Sequence, residues 1–215
     1  MGWYVKETAH QLGTPISSIM AWLELLKLKD IDQQIYTELE KDVDRLQIIA
    51  NRFSKIGSLP VKDLHSVYEV VNNSVNYIKT RSSSNYQFLL EKPKIDIVVP
   101  INNSLFEWVV ENICKNAIDA IGQKGSISIK ISDNQKNVIV DISDTGKGIP
   151  RSRYKTVFRP GFTTKKRGWG LGLSLVKRIV EEYHQGKVFV LHSELNIGTT
   201  FRIILPKYDK PKIKV

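Results

Sequence analysis

Two asparagines and an aspartate share one face of a predicted helix. In SLFEWVVENICKNAIDAI, Asn112 and Asn116 are spaced so that their side chains lie one helical turn apart, and Asp119 follows near the same stripe. Asparagine oxygens are suitable ligands for a Mg²⁺ ion that already holds phosphate oxygens and water. The spacing is compatible with a magnesium site, although a plain polar helix face has the same pattern.

A carboxylate and two glycines follow a predicted strand. The segment DTGKGIP begins at Asp144, directly after the alternating run NVIVDIS, and contains Gly146 and Gly148. A carboxylate at this position can accept a hydrogen bond from a ligand, while the glycines let the backbone pass close beneath it. By itself, the segment is more typical of a plain turn.

A glycine-rich segment, GWGLGL at residues 168–173, opens another predicted helix. Gly168, Gly170 and Gly172 allow the backbone to come close to a ligand, and unpaired N–H groups at a helix N-terminus bind anions. The segment does not follow a strand in the βαβ manner, which disfavours a dinucleotide-binding fingerprint. The charged residues between Gly148 and Gly168 are all basic: Arg151, Arg153, Lys155, Arg159, Lys165, Lys166 and Arg167. This pattern predicts a mobile lid that closes over phosphates.

The composition limits the classes of protein to be considered. The chain has 215 residues, enough for one large domain or two small ones, and its 41% hydrophobic content is ordinary for a chain with a buried core. No apolar run approaches the roughly 20 residues that span a bilayer. The single cysteine, Cys114, excludes internal disulfides and is expected in the core. A net charge of +10 predicts attraction to polyanions, or simply a solvated basic surface.

The first 59 residues predict an all-α helical hairpin. Two apolar seams with alternating steps of three and four residues are typical of a helical bundle. The seams comprise Val5, Ala9, Leu12, Ile16, Ile19, Leu23 and Leu26, then Tyr36, Leu39, Val43, Leu46, Ala50 and Phe53. One hairpin cannot bury both seams, whereas two can do so as a four-helix bundle. The pattern therefore predicts a homodimer.

Residues 60–207 predict an α+β two-layer sandwich, followed by a basic tail at 208–215. The turn signal GSLP marks the boundary between the two domains. We expect helices over residues 67–79, over SLFEWVVENICKNAIDAI up to Gly122, and over LGLSLVKRIVEEYH, with a long basic loop over 149–169. The strand signals are YQFLLE, the short run DIVVP, SISIKIS, NVIVDIS, KVFVLHS and TTFRIILP. They predict an antiparallel-rich sheet with helices on one side.

These segments, in this order, resemble the sensor histidine kinases over nearly the whole chain. HQLGTP is similar to that family's phosphoacceptor box, ENICKNAIDA to its asparagine box, and DTGKGI to its first glycine box. VFRPGFTTKKRGWGLGLSLVKRIVEEYHQGKV is similar to the lid and second glycine box, and GTTFRIILP to the closing strands. The resemblance implies a dimerisation and phosphotransfer hairpin followed by an ATP-binding sandwich of the histidine kinase, gyrase and chaperone type.

The resemblance also implies roles for individual residues. His10 would accept the phosphoryl group, with Gln11 beside it and Thr14 at the position that orients water for dephosphorylation of a partner. The ATP-binding residues would be Asn112, Asn116, Asp119, Asp144, Gly146, Gly148, Phe158, Lys165, Gly168, Gly170, Leu171, Gly172 and Thr200. Among these, Asn116 with Asn112 would hold Mg²⁺, Asp144 would accept from the adenine amino group, Thr200 would support the adenine side and Phe158 would pack the lid.

The implied reaction is transfer of the ATP γ-phosphoryl group to the imidazole of His10, then to an aspartate of a response-regulator receiver domain. The family usually has a carboxylate after the histidine, whereas this chain has Gln11. A glutamine amide can fix the imidazole tautomer but cannot take its proton. We therefore expect slow autophosphorylation. The expected location is the cytoplasm, as the cytosolic part of a membrane-anchored bacterial sensor whose upstream region is absent here.

Three other classes stay open at this point. An ATPase of the gyrase or chaperone type would share the nucleotide site but needs a further transducer domain. A protein serine kinase would leave His10 unexplained, and a dimeric ATP-binding scaffold without catalysis is compatible with Gln11. A nucleic-acid binder is disfavoured because the basic residues cluster in the predicted lid rather than on a recognition helix.

Overall fold

The structure, a computed structural model, describes residues 18–27, 33–37, 39–40, 43, 61–165 and 170–207. The chain divides into two units, residues 1–60 and 61–215. In the first unit, residues 18–27 and 33–37 are helical. Because much of this unit lies outside the described residues, the predicted hairpin stays a prediction.

Residues from both predicted seams pack together within the first unit. Leu23, Tyr36 and Val43 are buried in one cluster, with Met20 and Leu26 packed against it. Two further seam residues, at positions 19 and 39, are exposed. The other seam residues lie outside the described part: Val5, Ala9, Leu12, Ile16, Leu46, Ala50 and Phe53.

Within the described residues of the second unit, three α-helices and seven strands form an α+β sandwich, as the sequence predicted. The helices are α1 (Val67–Lys79), α2 (Asn103–Ile121) and α3 (Gly172–Arg178). The strands are β1 (Asp63–Ser66), β2 (Tyr86–Leu90), β3 (Val98–Ile101), β4 (Gly125–Asp133), β5 (Asn137–Asp144), β6 (Lys187–Glu194) and β7 (Gly198–Pro206).

Side-chain caps fix the starts of the two long helices. The Ser66 hydroxyl accepts from the Glu69 N–H at 3.3 Å ahead of α1, and the Asn102 side chain accepts from the Leu105 N–H at 3.1 Å ahead of α2. Helix α2 ends at Gly122, whose φ of 83° is left-handed and therefore suits glycine. Both helices lie where the sequence predicted them.

The main sheet has five strands in the order β2-β4-β5-β7-β6. Strands β2 and β4 are parallel and the other neighbours are antiparallel, so the predicted antiparallel-rich sheet is observed with one parallel edge. The parallel pair arises because the connection from β2 to β4 runs through α2. Strand β1, which the sequence analysis missed, pairs with β3 in a separate two-stranded sheet.

One face of the main sheet is covered by the helices. Alternate residues of β5 and β7 are buried, among them Ile142, Phe201 and Ile203. Helix α2 packs against β4, β5 and β7, and α1 packs against α2. The alternation sorts every residue of these strands onto either the helix-covered inner face or the outer face.

Two parts of the predicted secondary structure need correction. Residues 149–169 were expected to form a loop, but Arg151–Arg153 and Thr156–Phe158 form short 3₁₀ turns, the second anchored by the buried side chains of Val157 and Phe158. The predicted helix over residues 171–184 is α-helical only in α3 and continues as a π-helical turn, Ile179–Tyr183.

Buried His184 accounts for the π-helical turn. Its backbone N–H donates to the Ile179 carbonyl at 3.1 Å, and its ring Nδ1 lies 2.9 Å from the same oxygen. Its Nε2 accepts from the Asn102 N–H at 3.0 Å, so Nδ1 carries the proton. His184 therefore joins the end of this helix to the start of α2, a structural role. Cys114 is fully buried, as predicted, and burial raises the pKa of its thiol to about 12, which suits a core residue.

The core prediction compares two adjacent isoleucines of β7. Ile203 is fully buried on the inner face, whereas Ile204 is half-buried on the outer face. Ile203→Ala should lower the free energy of unfolding by about 2–5 kcal/mol through lost burial and a cavity, and Ile204→Ala by about 1 kcal/mol or less. Chemical denaturation of both variants measures the difference. Equal losses would contradict the assignment of Ile203 to the buried inner face and Ile204 to the outer face.

Candidate functional site

The polar side of α2 lies against the start of α3. The Asn112 amide N–H donates to the Trp108 carbonyl at 2.9 Å. Its Oδ1 atom is 3.2 Å from the position that a Cβ atom would take at Gly172, and the Asn116 amide nitrogen is 3.9 Å from that position. The two asparagines predicted from spacing therefore adjoin the glycine that opens α3.

A lysine ammonium lies among the oxygen atoms on this side of α2. Lys165 Nζ donates to Asn116 Oδ1 at 3.3 Å and forms an ion pair with the Asp119 carboxylate. These oxygens therefore attract a cation, which is what a metal site at Asn116 requires. Within the described residues there is no cluster of three or more His, Cys, Asp or Glu side chains suited to a metal. The donors fit a Mg²⁺ ion that takes most of its ligands from phosphates and water.

Asp144 is buried at the end of β5, where the chain turns toward α2. Its Oδ1 atom accepts from the Gly146 N–H at 2.8 Å. Burial raises the pKa of the carboxyl, and the backbone N–H groups of Gly146 and Thr199 offset part of that rise. Lys147, three residues after Asp144, donates its N–H to the carbonyl of Ala120 in the last turn of α2 at 3.0 Å. The carboxylate and the helix are thus fixed to each other.

The turn after Asp144 is held against the β6–β7 turn. The Ile149 N–H donates to the Ser193 hydroxyl at 2.7 Å, and the Asn196 N–H donates to the Lys147 carbonyl at 2.9 Å. Gly148 has a φ of 73°, and a Cβ atom there would lie 2.1 Å from the Glu194 carbonyl oxygen. A side chain at position 148 is therefore excluded by both conformation and space.

The segment leading into α3 is closed by a backbone contact. The Gly161 N–H donates to the Gly170 carbonyl at 3.1 Å. Gly170 has a φ of 65°, and a Cβ atom there would lie 2.4 Å from the Gly161 carbonyl carbon. Leu171 precedes the helix, and no side chain in the described part of the chain caps the first-turn N–H groups of α3. These amides lie beside the asparagine pair and are suited to an anion.

Phe158 attaches the second 3₁₀ turn to the sheet. It is buried, and its ring packs edge-to-face on Phe201 of β7 with 6.1 Å between centroids. The basic residues predicted to cover phosphates divide around this anchor. Arg151, Arg153, Lys155 and Arg159 are exposed on the fixed 3₁₀ segment, whereas Lys165 reaches α2. Buried Val157 and Phe158 attach the second 3₁₀ turn to the domain, and the predicted mobile lid stays a prediction.

The residue predicted to support Asp144 lies on the other face of the sheet. The Thr200 hydroxyl is 2.8 Å from the Ser143 hydroxyl on the outer face, whereas Asp144 pairs with Thr199 on the inner face. The expectation that Thr200 supports the Asp144 side is therefore wrong. Thr199 lies on that side instead, because adjacent strand residues point to opposite faces. The sequence contained this signal: the buried positions Phe201, Ile203 and Leu205 alternate, and the same alternation puts Thr199 on their side.

The structure thus brings most of the predicted residues to one side of α2 and the turn beside it. They are Asn112, Asn116, Asp119, Asp144, Gly146, Gly148, Lys165, Gly170, Leu171 and Gly172. His10, Gln11, Thr14 and Gly168 lie outside the described residues. Ser193 and Thr199 were missed. Chemically, the site joins a buried hydrogen-bond acceptor to a region of amide donors, amide oxygens and an ammonium group, an arrangement that fits an amino-substituted heterocycle carrying phosphates.

Comparison with known families gives one match in this part of the chain. The family described as histidine kinase-, DNA gyrase B-, and HSP90-like ATPase matches residues 101–209. Those residues begin at the end of β3 and include α2, the Asp144 turn, α3 and the closing strands.

Individual relatives extend the match. Sporulation kinase D of Bacillus subtilis is 27% identical over 216 residues, which cover 96% of this chain and 42% of that protein. The catalytic domain of histidine kinase ThkA is 30% identical with a TM-score of 0.62, covering 68% of this chain and 96% of that structure. ThkA in complex with the response regulator protein TrrA is 24% identical and shares the fold, with a TM-score of 0.63 over 97% of this chain and 61% of that one. The chain thus spans less than half the length of the curated relative.

Among the described helices, none combines the length and the apolar character needed to cross a bilayer.

The buried Asp144 carboxylate predicts a pH-dependent stability difference. Because burial raises its pKa in the folded state, the folded chain holds this proton more tightly than the unfolded chain. Stability from this group is therefore present at low pH and is lost as the pH rises through the raised pKa. Relative to Asp144→Asn, the parent should therefore lose stability as the pH rises from the pKa of the unfolded state to the raised pKa of the folded state. Denaturation midpoints of both proteins at several pH values test this, and a constant difference would contradict the burial argument.

Proposed function

Because the chain belongs to the histidine kinase-, DNA gyrase B- and HSP90-like ATPase family, and within it to the sensor histidine kinases, we propose that it is an ATP-dependent protein-histidine kinase. The observation that carries the proposal is the arrangement around α2. Buried Asp144, the uncapped amides of α3 and the Lys165 ammonium all adjoin one helix. Each has the chemistry that one end of an ATP molecule requires.

The purine would bind at the Asp144 end of the site. The carboxylate accepts from the Gly146 N–H through one oxygen, and acceptor capacity remains for an exocyclic amino group. Thr199, on the same face of the sheet, would support this end in place of Thr200. Gly148 would line the floor of the purine pocket, since the backbone there lies against the β6–β7 turn.

The phosphates would bind at the α3 end. The amides around Gly170, Leu171 and Gly172 would donate to phosphate oxygens, and Lys165 would neutralise part of their charge. Asn116, supported by Asn112, would hold a Mg²⁺ ion, which when bound would neutralise the charge of adjacent phosphate oxygens. The positions of these groups support catalysis by orientation and electrostatic stabilisation.

The phosphoryl group would move from ATP to a nitrogen of the His10 imidazole, with ADP as the leaving group. The phosphohistidine would then give it to an aspartate of a response-regulator receiver domain. The named complex of ThkA with a response regulator supports this partner by analogy of fold. Thr14 would give the chain phosphatase activity toward that partner. The chain would act in the cytoplasm, as the cytosolic part of a membrane-anchored sensor.

The apolar surface of the first unit supports a homodimer. Among its described residues, five large hydrophobic side chains are exposed: Ile19, Trp22, Leu25, Ile35 and Leu39. Ile19 and Leu39 belong to the two predicted seams. A second copy of this unit would cover such a surface as a four-helix bundle, whereas a monomer would leave it in water.

A labelling experiment tests the proposed kinase. Incubation with γ-labelled ATP and Mg²⁺ should give acid-labile, alkali-stable label on the protein, and His10→Ala should abolish it. His65→Ala is the matched control and should label normally. Released phosphate without protein label would indicate an ATPase, and neither label nor release would indicate a nucleotide-binding scaffold.

The presence of Gln11 beside His10 predicts slow autophosphorylation, since glutamine cannot take the imidazole proton. Gln11→Glu supplies a carboxylate that can take the imidazole proton, and a general base contributes about 10²–10⁴-fold in favourable cases. We expect autophosphorylation to accelerate by about tenfold or more, measured as the initial rate of label incorporation. A slower Gln11→Glu variant with unchanged ATP affinity would overturn this account of the Gln11 position.

A further inference from the structure

The contact between Lys165 and α2 has a consequence for nucleotide affinity. Lys165 and Asp119 form an ion pair whose side chains are 43% and 51% exposed, and the same ammonium donates to Asn116 at 3.3 Å. Asn116 also lies near Gly172 at the start of α3, where the proposed function puts phosphates, and Asp119 follows Asn116 by three residues on α2. The Lys165 ammonium therefore has two alternative anionic partners in the same region.

Asp119 differs in charge from its neighbours on this side of α2. Asn112 and Asn116 are neutral, and the α3 amides are donors, so all of these groups favour or tolerate a phosphate. A carboxylate beside them repels phosphate and attracts the Lys165 ammonium, which would otherwise be available to the phosphate. The proposed ATP contact of Asp119 thus needs a different physical account from that of the asparagines.

We propose that Asp119 is a positioning residue that holds the Lys165 ammonium against α2 and competes with phosphate for it. The proposal rests on the proposed nucleotide function. Asp119 keeps the lysine beside Asn116, and phosphate binding requires the lysine to change partner. The pair is exposed, so its contribution is modest and the competition is reversible. Asp119 therefore lowers nucleotide affinity, and it does so through Lys165.

A double-mutant cycle on the full chain tests this. Affinity for Mg²⁺ with a non-hydrolysable ATP analogue is measured by calorimetry for the parent, Asp119→Asn, Lys165→Met and the double variant. Asp119→Asn should raise the affinity about two- to fivefold, the range expected for an exposed ion pair. In the Lys165→Met background the same change should have less than about half that effect, since close pairs are coupled. Asp133→Asn, which removes another exposed lysine pair, to Lys207, is the matched control and should leave the affinity unchanged.

The outcomes distinguish a failure of the role proposed for Asp119 from a failure of the proposed nucleotide binding. If Asp119→Asn weakens binding, Asp119 acts as a ligand of the magnesium–nucleotide complex and the proposal is wrong. If the gain is equal with and without Lys165, simple repulsion accounts for it and the competition is wrong. If the folded parent binds no nucleotide at all, the proposed function itself fails.

Discussion

The packing of helix α2 on the inner face of the five-stranded sheet is the contact on which the candidate site depends. One side of the helix is in the core, where residues such as Phe106, Val110 and Ile113 are fully buried. Because that side is fixed, the opposite polar stripe has a fixed direction as well. The asparagines, the Lys165 contact and the hydrogen bond from Lys147 to the last turn all follow from this one orientation.

Hydrogen bonds donated by backbone N–H groups fix the loops around the candidate site. The Asp144 turn is held by N–H groups at Gly146, Lys147 and Ile149, and the approach to α3 is closed by a hydrogen bond between two glycine positions. Backbone donors and acceptors are fixed by the fold rather than by rotamers, so they are available without reorganisation. Such an arrangement suits phosphate and purine recognition, in which the protein orients the ligand and neutralises its charge.

The sequence predicted the fold of residues 61–207 well where periodicity was strong. Helices α1 and α2 and strands β4, β5, β6 and β7 lie where alternation and caps put them. It failed where a long-range contact decided the local structure. His184 widens the end of the last helix by bonding Ile179 and Asn102, and buried Phe158 orders part of a basic segment that has loop composition. Strand β1 is only four residues long and is defined by its partner β3, so no local pattern identifies it.

For the candidate site as well, the sequence predicted what local spacing determines and not what tertiary contacts determine. Spacing placed Asn112 and Asn116 on one face correctly, but the choice between Thr199 and Thr200 depended on strand parity, and the partner of Lys165 depended on tertiary contact. The resemblance supplied roles that geometry alone does not assign, among them that of His10.

The most direct test of the account is to locate nucleotide binding on the labelled chain by NMR. Adding Mg²⁺ and a non-hydrolysable ATP analogue should shift the amide signals of Gly146, Gly148, Gly170 and Gly172, with little change at the outer-face residues Arg202 and Ile204. A folded protein whose glycine amides do not respond, or whose shifts lie on the outer face, would contradict the claim that this side of α2 is the nucleotide site.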